Sequence, residues 1–303
     1  SEEGATHFPS AGPYHVTEYR PGERVVIRRN PHYGGARRVH LDGFNVDLRG
    51  GSPTDMIRRI DRDEADWGHM LGGVFFADPT LDLIGRYGIN KSELWIKPGL
   101  TLRMLAFNSS RPLFRNNPRL RRAINLALDR RELGTTGGGP NGQVETDQYL
   151  PHSVPGFSDA NVYPLGGPDL AEARALAQGN LRGGKVELLT TDFQLPVQTA
   201  QLVKQQLARI GLEVVINKTP VHIATAAYLE KLASRNERWD MALVLWTPSI
   251  PEPHAYLNQL LESQILDAAA LTRFRSTEAS RGLHRAARTP PGRSRTRPYA
   301  ELD

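Results

Sequence analysis

A chain of 303 residues is long for one small core and fits two lobes better; 39% hydrophobic and 23% charged residues are a globular composition. The absence of cysteine excludes disulfides, thiolate metal sites and cysteine nucleophiles, and no apolar run approaches the roughly 20 residues that cross a bilayer. The net charge of +5 is uneven, because eight arginines face only Glu278 between Leu271 and Pro298.

That basic end reads as a solvated helix followed by a disordered tail rather than a nucleic-acid arm. The chain opens at Ser1 with no leader-like segment and is read as mature or cut down.

Tyr14 to Tyr19 and Arg24 to Arg29 are β-like runs joined by Arg20-Pro21-Gly22-Glu23. Proline fixes one φ and glycine permits a positive one, so the pair predicts a hairpin. Phe44, Val46 and Leu48 alternate with polar residues as in a half-buried strand, and Met56, Ile57 and Ile60 predict a short helix behind Pro53-Thr54. Thr101 to Phe107 is the next strand. Asn117 then caps a helix whose first turn accepts Pro118, with Leu120, Ala123, Ile124, Ala127 and Leu128 in one apolar stripe.

Beyond the flexible loop Gly137 to Gly142, helices and strands alternate. A helix carries Leu170, Ala173, Leu176 and Ala177, a strand runs from Lys185 to Thr190, and a helix continues to Ile210, stopped by Gly211. The strand Leu212 to Asn217, a helix through Tyr228 and Leu232, and the strand Asp240 to Trp246 complete the series. Strands alternating with helices imply crossover units and α/β layers.

Catalytic signatures are missing. The glycine loop lacks the Lys-Ser/Thr of a phosphate cradle. Asp61, Asp63, Glu64 and Asp66 resemble a calcium loop, yet its sixth and twelfth positions hold Asp66 and Gly72. No histidine pair has helical zinc spacing and no serine sits in a nucleophile elbow. The expectation is a protein that is not an enzyme, with no cofactor and no metal.

Several segments resemble one family. Ala11-Gly-Pro-Tyr-His-Val16 with Glu23 to Tyr33, Phe107-Asn-Ser-Ser-Arg-Pro-Leu-Phe114 with Arg119 to Arg130, Tyr149 to Gly156, Gln205 to Val214, and Asp240 to Trp246 with Pro251-Glu-Pro253 stand in its order and spacing. The chain thus resembles the middle section of family 5 extracellular solute-binding proteins, the peptide and nickel receptors of ABC importers. The resemblance implies an α/β, two-lobed architecture of the type II periplasmic-binding-protein kind. It also implies that the chain is the later part of a receptor, cut at both ends, with an incomplete first lobe. Residues 1–104 are then part of that lobe, 105–265 the second α/β lobe with the ligand loop, and 266–303 the basic helix and C-terminal tail.

The function implied is capture of a peptide or other small solute in an interlobe cleft and delivery to ABC permease subunits at the membrane. Such a bacterial receptor works as a monomer, without nucleic acid, in the periplasm or as a lipoprotein on the outer face. The alternative is the ligand-sensing domain of a cytosolic transcription regulator with the same fold.

Within that reading the ligand-binding residues are Trp246, Thr247, Ser249, Glu252, Asn108 and Trp67. Ligands of open α/β sheets bind beyond the carboxyl ends of strands, where Trp246 stands, and the resemblance places this ring against the ligand. A tryptophan filling the core under the loop is the other reading. Pro248, Pro251 and Pro253 stiffen the loop, so less freedom is lost on binding. Peptide-binding relatives carry an amine-pairing aspartate where this chain has Ser249, which implies a ligand without a free ammonium there, or a substitute carboxylate such as Glu252. Asn108 serves either the ligand or the local backbone; Trp67 either lines the cleft or packs under a helix.

Overall fold

The computed structural model describes residues 9–50, 52–68, 82–97, 99–137, 139–220, 225–234, 238–248, 250–261, 273–290 and 292–303. The chain divides into two compact units, the first closing at Met70 and the second opening at Leu71.

In the first unit, β1 (Tyr14–Arg20), β2 (Arg24–Arg29) and β3 (Gly43–Asp47) form an antiparallel sheet in that order. The predicted hairpin is present: Gly22 takes φ +70° and Glu23 N donates to Arg20 O at 3.0 Å. Helix α1 (Pro53–Asp61) starts with a reciprocal cap between Ser52 and Asp55. The apolar alternation of β3 is also present, but Phe44 and Val46 stay about two-fifths exposed. Among the described residues, three strands and one short helix are too few to cover that side.

The second unit opens with α2 (Leu83–Tyr87) and is built on a four-stranded sheet. Strands β4 (Leu102–Phe107), β5 (Lys185–Thr191), β6 (Glu213–Thr219) and β7 (Met241–Trp246) take the order β4-β7-β5-β6. β5 is parallel to β6 and β7, whereas β4 runs antiparallel to β7. The parallel pairs are reached through α6 (Gln194–Ala208) and α7 (Thr225–Ala233), as the alternation predicted. Gly211 has φ +87° after α6, the left-handed turn that glycine enters without a Cβ penalty.

Successive residues of each strand serve opposite faces. Val186 and Leu188 of β5 and Met241 of β7 pack under α3 (Pro118–Ala127), α5 (Leu170–Ala177) and α6. Leu102 and Ala106 of β4, Leu189 of β5, and Ala242 and Val244 of β7 face Tyr228, Leu232 and Trp239 on the other side. The apolar stripe of α3 is buried as expected, but the helix ends at Ala127. Asp129 accepts from Glu132 N at 3.0 Å and caps a new helix, α4 (Arg130–Thr135), so Arg130 and Arg131 belong to the next element.

Two expectations are corrected nearer the C-terminus. The proline loop is shorter than predicted, because Pro253 opens α8 (Pro253–Leu261). The tail is not disordered. Helices α9 (Thr277–Arg288) and α10 (Arg293–Ala300) form a third core in which Leu283, Ala286 and Tyr299 meet Leu150, Tyr256 and Leu257. Arg281, Arg285 and Arg288 take the solvent side of α9, so the arginine composition masks a narrow apolar seam.

Candidate functional site

The carboxyl ends of β5, β6 and β7 lie along one edge of the second unit's sheet, joined by the amino end of β4. The last paired positions of β4 and β7 are Leu102 with Trp246 and Arg103 with Leu245. One residue further out, the hydroxyls of Thr101 and Thr247 are 2.8 Å apart. Alternation therefore sorts this edge into two faces.

Trp246 and Leu102 turn toward the buried side. The tryptophan ring packs against two core clusters and its Nε1 donates to Ala255 O at 3.4 Å, yet part of it stays accessible. Thr101, Arg103, Leu245 and Thr247 share the opposite side. Thr101 and Thr247 are exposed and Leu245 is 58% exposed, an open strip at the strand ends.

The backbone beneath this strip is tied down. Tyr256 donates its hydroxyl to Leu100 O at 2.6 Å, and Ser153 Oγ donates to Gly99 O at 2.9 Å. Burial pushes the Tyr256 hydroxyl up to about 12, so it stays a donor at working pH. Pro248 is buried and anchors the start of the loop.

Arg103 is half-buried within β4. With the Gln143 amide oxygen turned to the guanidinium, it accepts from Nη1 at 3.0 Å and from Nη2 at 3.1 Å. Burial holds the guanidinium below the ordinary arginine range, and among the described residues no carboxylate offsets that effect.

The remaining predicted residues scatter. Glu252 is half-exposed, with Oε2 3.9 Å from Arg295 Nη1, and so faces α10. Asn108 is fully buried at the far end of the β4–β7 ladder, about 20 Å from Trp246 at strand rise. Its Nδ2 donates to Trp239 O at 3.0 Å, and its Oδ1 accepts from Ser110 N at 3.2 Å and Ser110 Oγ at 2.7 Å. Beside it Arg111 Nε meets Asp240 Oδ1 at 3.0 Å, while Asp240 Oδ2 accepts from Glu187 N at 3.0 Å. That end of the sheet is a structural knot. Trp67 lies in the first unit, 75% exposed, and Ser249 falls outside the described residues.

The structure brings Thr101, Arg103 and Gln143, which sequence reasoning did not single out, to the same edge as Thr247. Arg103 carried a signal, since it is the one charge between Leu102 and Met104 in an otherwise apolar strand. Gln143 carried none, because its place depends on the fold of a glycine-rich loop. Gly137 lies close beside it: a Cβ there would push the end of the Gln143 side chain aside.

Comparison with known proteins follows the same lines. The Escherichia coli "Probable ABC transporter periplasmic-binding protein SapA" is 23% identical over 265 residues, covering 82% of this chain and 43% of that protein. The E. coli "Probable D,D-dipeptide-binding periplasmic protein DdpA" is 26% identical over 310 residues, covering 98% of this chain and 54% of the other. The chain thus spans about half the length of these relatives. Among solved structures, "Clavulanic acid biosynthesis oligopeptide binding protein 2" superposes with a TM-score of 0.76 at 20% identity, over 97% of this chain and 55% of that one, a likeness of fold. The pattern of "Bacterial extracellular solute-binding proteins, family 5 Middle" matches residues 1–266. With that match over most of its length, on an α/β fold of the type II periplasmic-binding-protein kind, the chain belongs to family 5 of the bacterial extracellular solute-binding proteins.

Proposed function

We propose that this chain is part of the substrate-binding receptor of an ABC importer, which captures a peptide or other small solute outside the cytoplasm and hands it to permease subunits. The observation that carries this is the open strip at the strand ends, on a fold whose family members bind solutes. Thr247 and Thr101 offer hydroxyls to the ligand, and the accessible part of Trp246 supplies an apolar wall. Fully burying such a ring removes roughly 150–250 Å² from water; half-burial leaves only part of that for a ligand. Asn108 fixes the opposite end of the same strand pair. Glu252 and Ser249 flank the loop, and Ser249 in place of an aspartate favours ligands without a free ammonium at that point. Binding is non-catalytic capture, and the mature receptor works in the periplasm or tethered to the outer face of the membrane.

The test is native mass spectrometry of the full-length gene product expressed in a related bacterial host. A processed or lipid-modified N-terminus with a co-purified small molecule is the expected result. An unprocessed N-terminus would sink the importer assignment. Tight calorimetric binding of unmodified di- or tripeptides would overturn the specificity assigned to Ser249.

A further inference from the structure

We infer that Arg103 is an anion-reading residue, so that the solute bound at this edge presents a carboxylate to it. The inference rests on the receptor reading above and adds the charge of the ligand.

Arginine is rarely drawn into a strand without a reason, since desolvating its guanidinium is unfavourable unless an acid accompanies it. Three other partly buried arginines of this unit also have protein partners, whereas Arg295 keeps a buried Nε with none among the described residues. Arg111 has the Asp240 carboxylate at 3.0 Å. Arg130 donates to Asn125 O and Oδ1, both at 3.0 Å, and lies over the Tyr163 ring. Arg121 donates to Phe114 O at 2.7 Å. Like Arg121, Arg103 has one neutral oxygen as its partner among the described residues, Gln143 Oε1 shared by Nη1 and Nη2, but this oxygen belongs to a side chain that can turn away rather than to the backbone. A guanidinium carries five N–H donors in a planar fork, so most of its donor capacity remains to be met.

Its position supplies the second argument. Arg103 sits opposite Leu245 and on the same face as Thr101 and Thr247. Leu245 and Val144 are 58% and 71% exposed, so the fork lies beside open surface rather than under the core. A carboxylate laid there accepts from the guanidinium fork and from one threonine hydroxyl, while Leu245 contacts the adjoining chain. Gln143 acts as the placeholder that satisfies Arg103 when the site is empty.

The test uses the full-length receptor and calorimetry with pools of N-acetylated tripeptides, prepared as free acids and as C-terminal amides. The expected result is that wild type prefers the acids by roughly ten- to a hundredfold, the range of a charged hydrogen bond. Arg103→Gln should erase that preference by lowering acid affinity to the level of the amides, and Arg103→Lys should restore part of it. Gln143→Glu serves as a second variant should Arg103→Gln fail to fold. It keeps the arginine, supplies an internal carboxylate, and should abolish the acid preference without loss of stability. Equal binding of acids and amides by wild type overturns the Arg103 assignment and leaves the receptor standing, as does an acid preference that survives in Arg103→Gln. Failure of wild type to bind any pool overturns the peptide reading itself and this inference with it.

Discussion

The hydroxyls of Thr101 and Thr247 lie 2.8 Å apart and close the β4–β7 ladder one residue beyond its last paired position. Both are exposed, whereas their neighbours Leu102 and Trp246 belong to the core side. On the proposed reading, stability and binding are carried by adjacent residues, which makes them separable by mutation. Thr247→Val should change unfolding free energy in urea by no more than about 0.5 kcal/mol, as for most surface substitutions. It should nonetheless weaken binding of the N-acetylated tripeptide pool. Trp246→Ala should cost about 3 kcal/mol, the low end for a large aromatic, because the ring is only half-buried. An unfolding midpoint for Trp246→Ala equal to wild type would mean that the ring serves the ligand alone.

Asn108 gives the opposite pattern. Replacing it with alanine leaves Trp239 O and the Ser110 donors without their partner, a loss of about 1–3 kcal/mol. Ligand affinity of the folded variant should stay unchanged, since the residue lies at the far end of the ladder. Calorimetry at a temperature well below the variant's midpoint decides this; a large fall in affinity would place Asn108 in the binding machinery after all.

Tyr299 tests whether the C-terminal helices are integral. Its ring is fully buried, and its hydroxyl donates to Asn258 Oδ1 at 2.9 Å with His254 Nδ1 at 3.1 Å. Tyr299→Ala should destabilise the protein by about 3–5 kcal/mol, and Tyr299→Phe by about 1–3 kcal/mol through the buried amide left without a donor. Denaturant unfolding followed by circular dichroism reads both, and a neutral Tyr299→Ala would mean that α10 merely rests on the surface.

Asp303 predicts a pH dependence. Burial raises its carboxyl above the aspartate value of 3.8, and Asp147 adds to the rise, while hydrogen bonds from Leu150 N, Tyr149 N and Gln148 oppose it. A folded-state value above the unfolded one contributes stability that is complete below pH 3.8 and is lost as pH rises through the folded value. Asp303→Asn keeps an oxygen for Tyr149 N and Leu150 N and does not titrate. Relative to wild type, the variant should therefore gain stability between pH 4 and pH 7. Urea midpoints of the two proteins that keep a constant separation over that range would rule this out.

Much of the second unit was legible because its local signals agree with one another. Asn117, Pro118 and the stripe from Leu120 to Ala127 all specify the same helix, and Gly211 stops α6 where the pattern ends. Three features were not. Asp129 ended a stripe that periodicity alone carried to Leu128, because one capping side chain outweighs a single apolar position. The tail was misread because Leu283, Ala286 and Tyr299 are sparse among eight arginines, and only their convergence on Tyr256 and Leu257 shows a core. Trp246 was placed at the correct strand end, but its facing could not be read without the pairing register, and that register brought Thr101 and Arg103 beside Thr247.

The two-faced tip of β7 has a consequence for how a chain of this fold can change. Inserting or deleting one residue between Met241 and Trp246 would exchange the faces: Thr247 or Leu245 would enter the position of the ring, and the ring would move out onto the strip. Point substitutions at Leu245 or Thr247 face no such obstacle. On the proposed reading, lineages descending from this architecture should diversify their solutes by replacement along the outer strip, with length variation confined to the segments beyond Pro248.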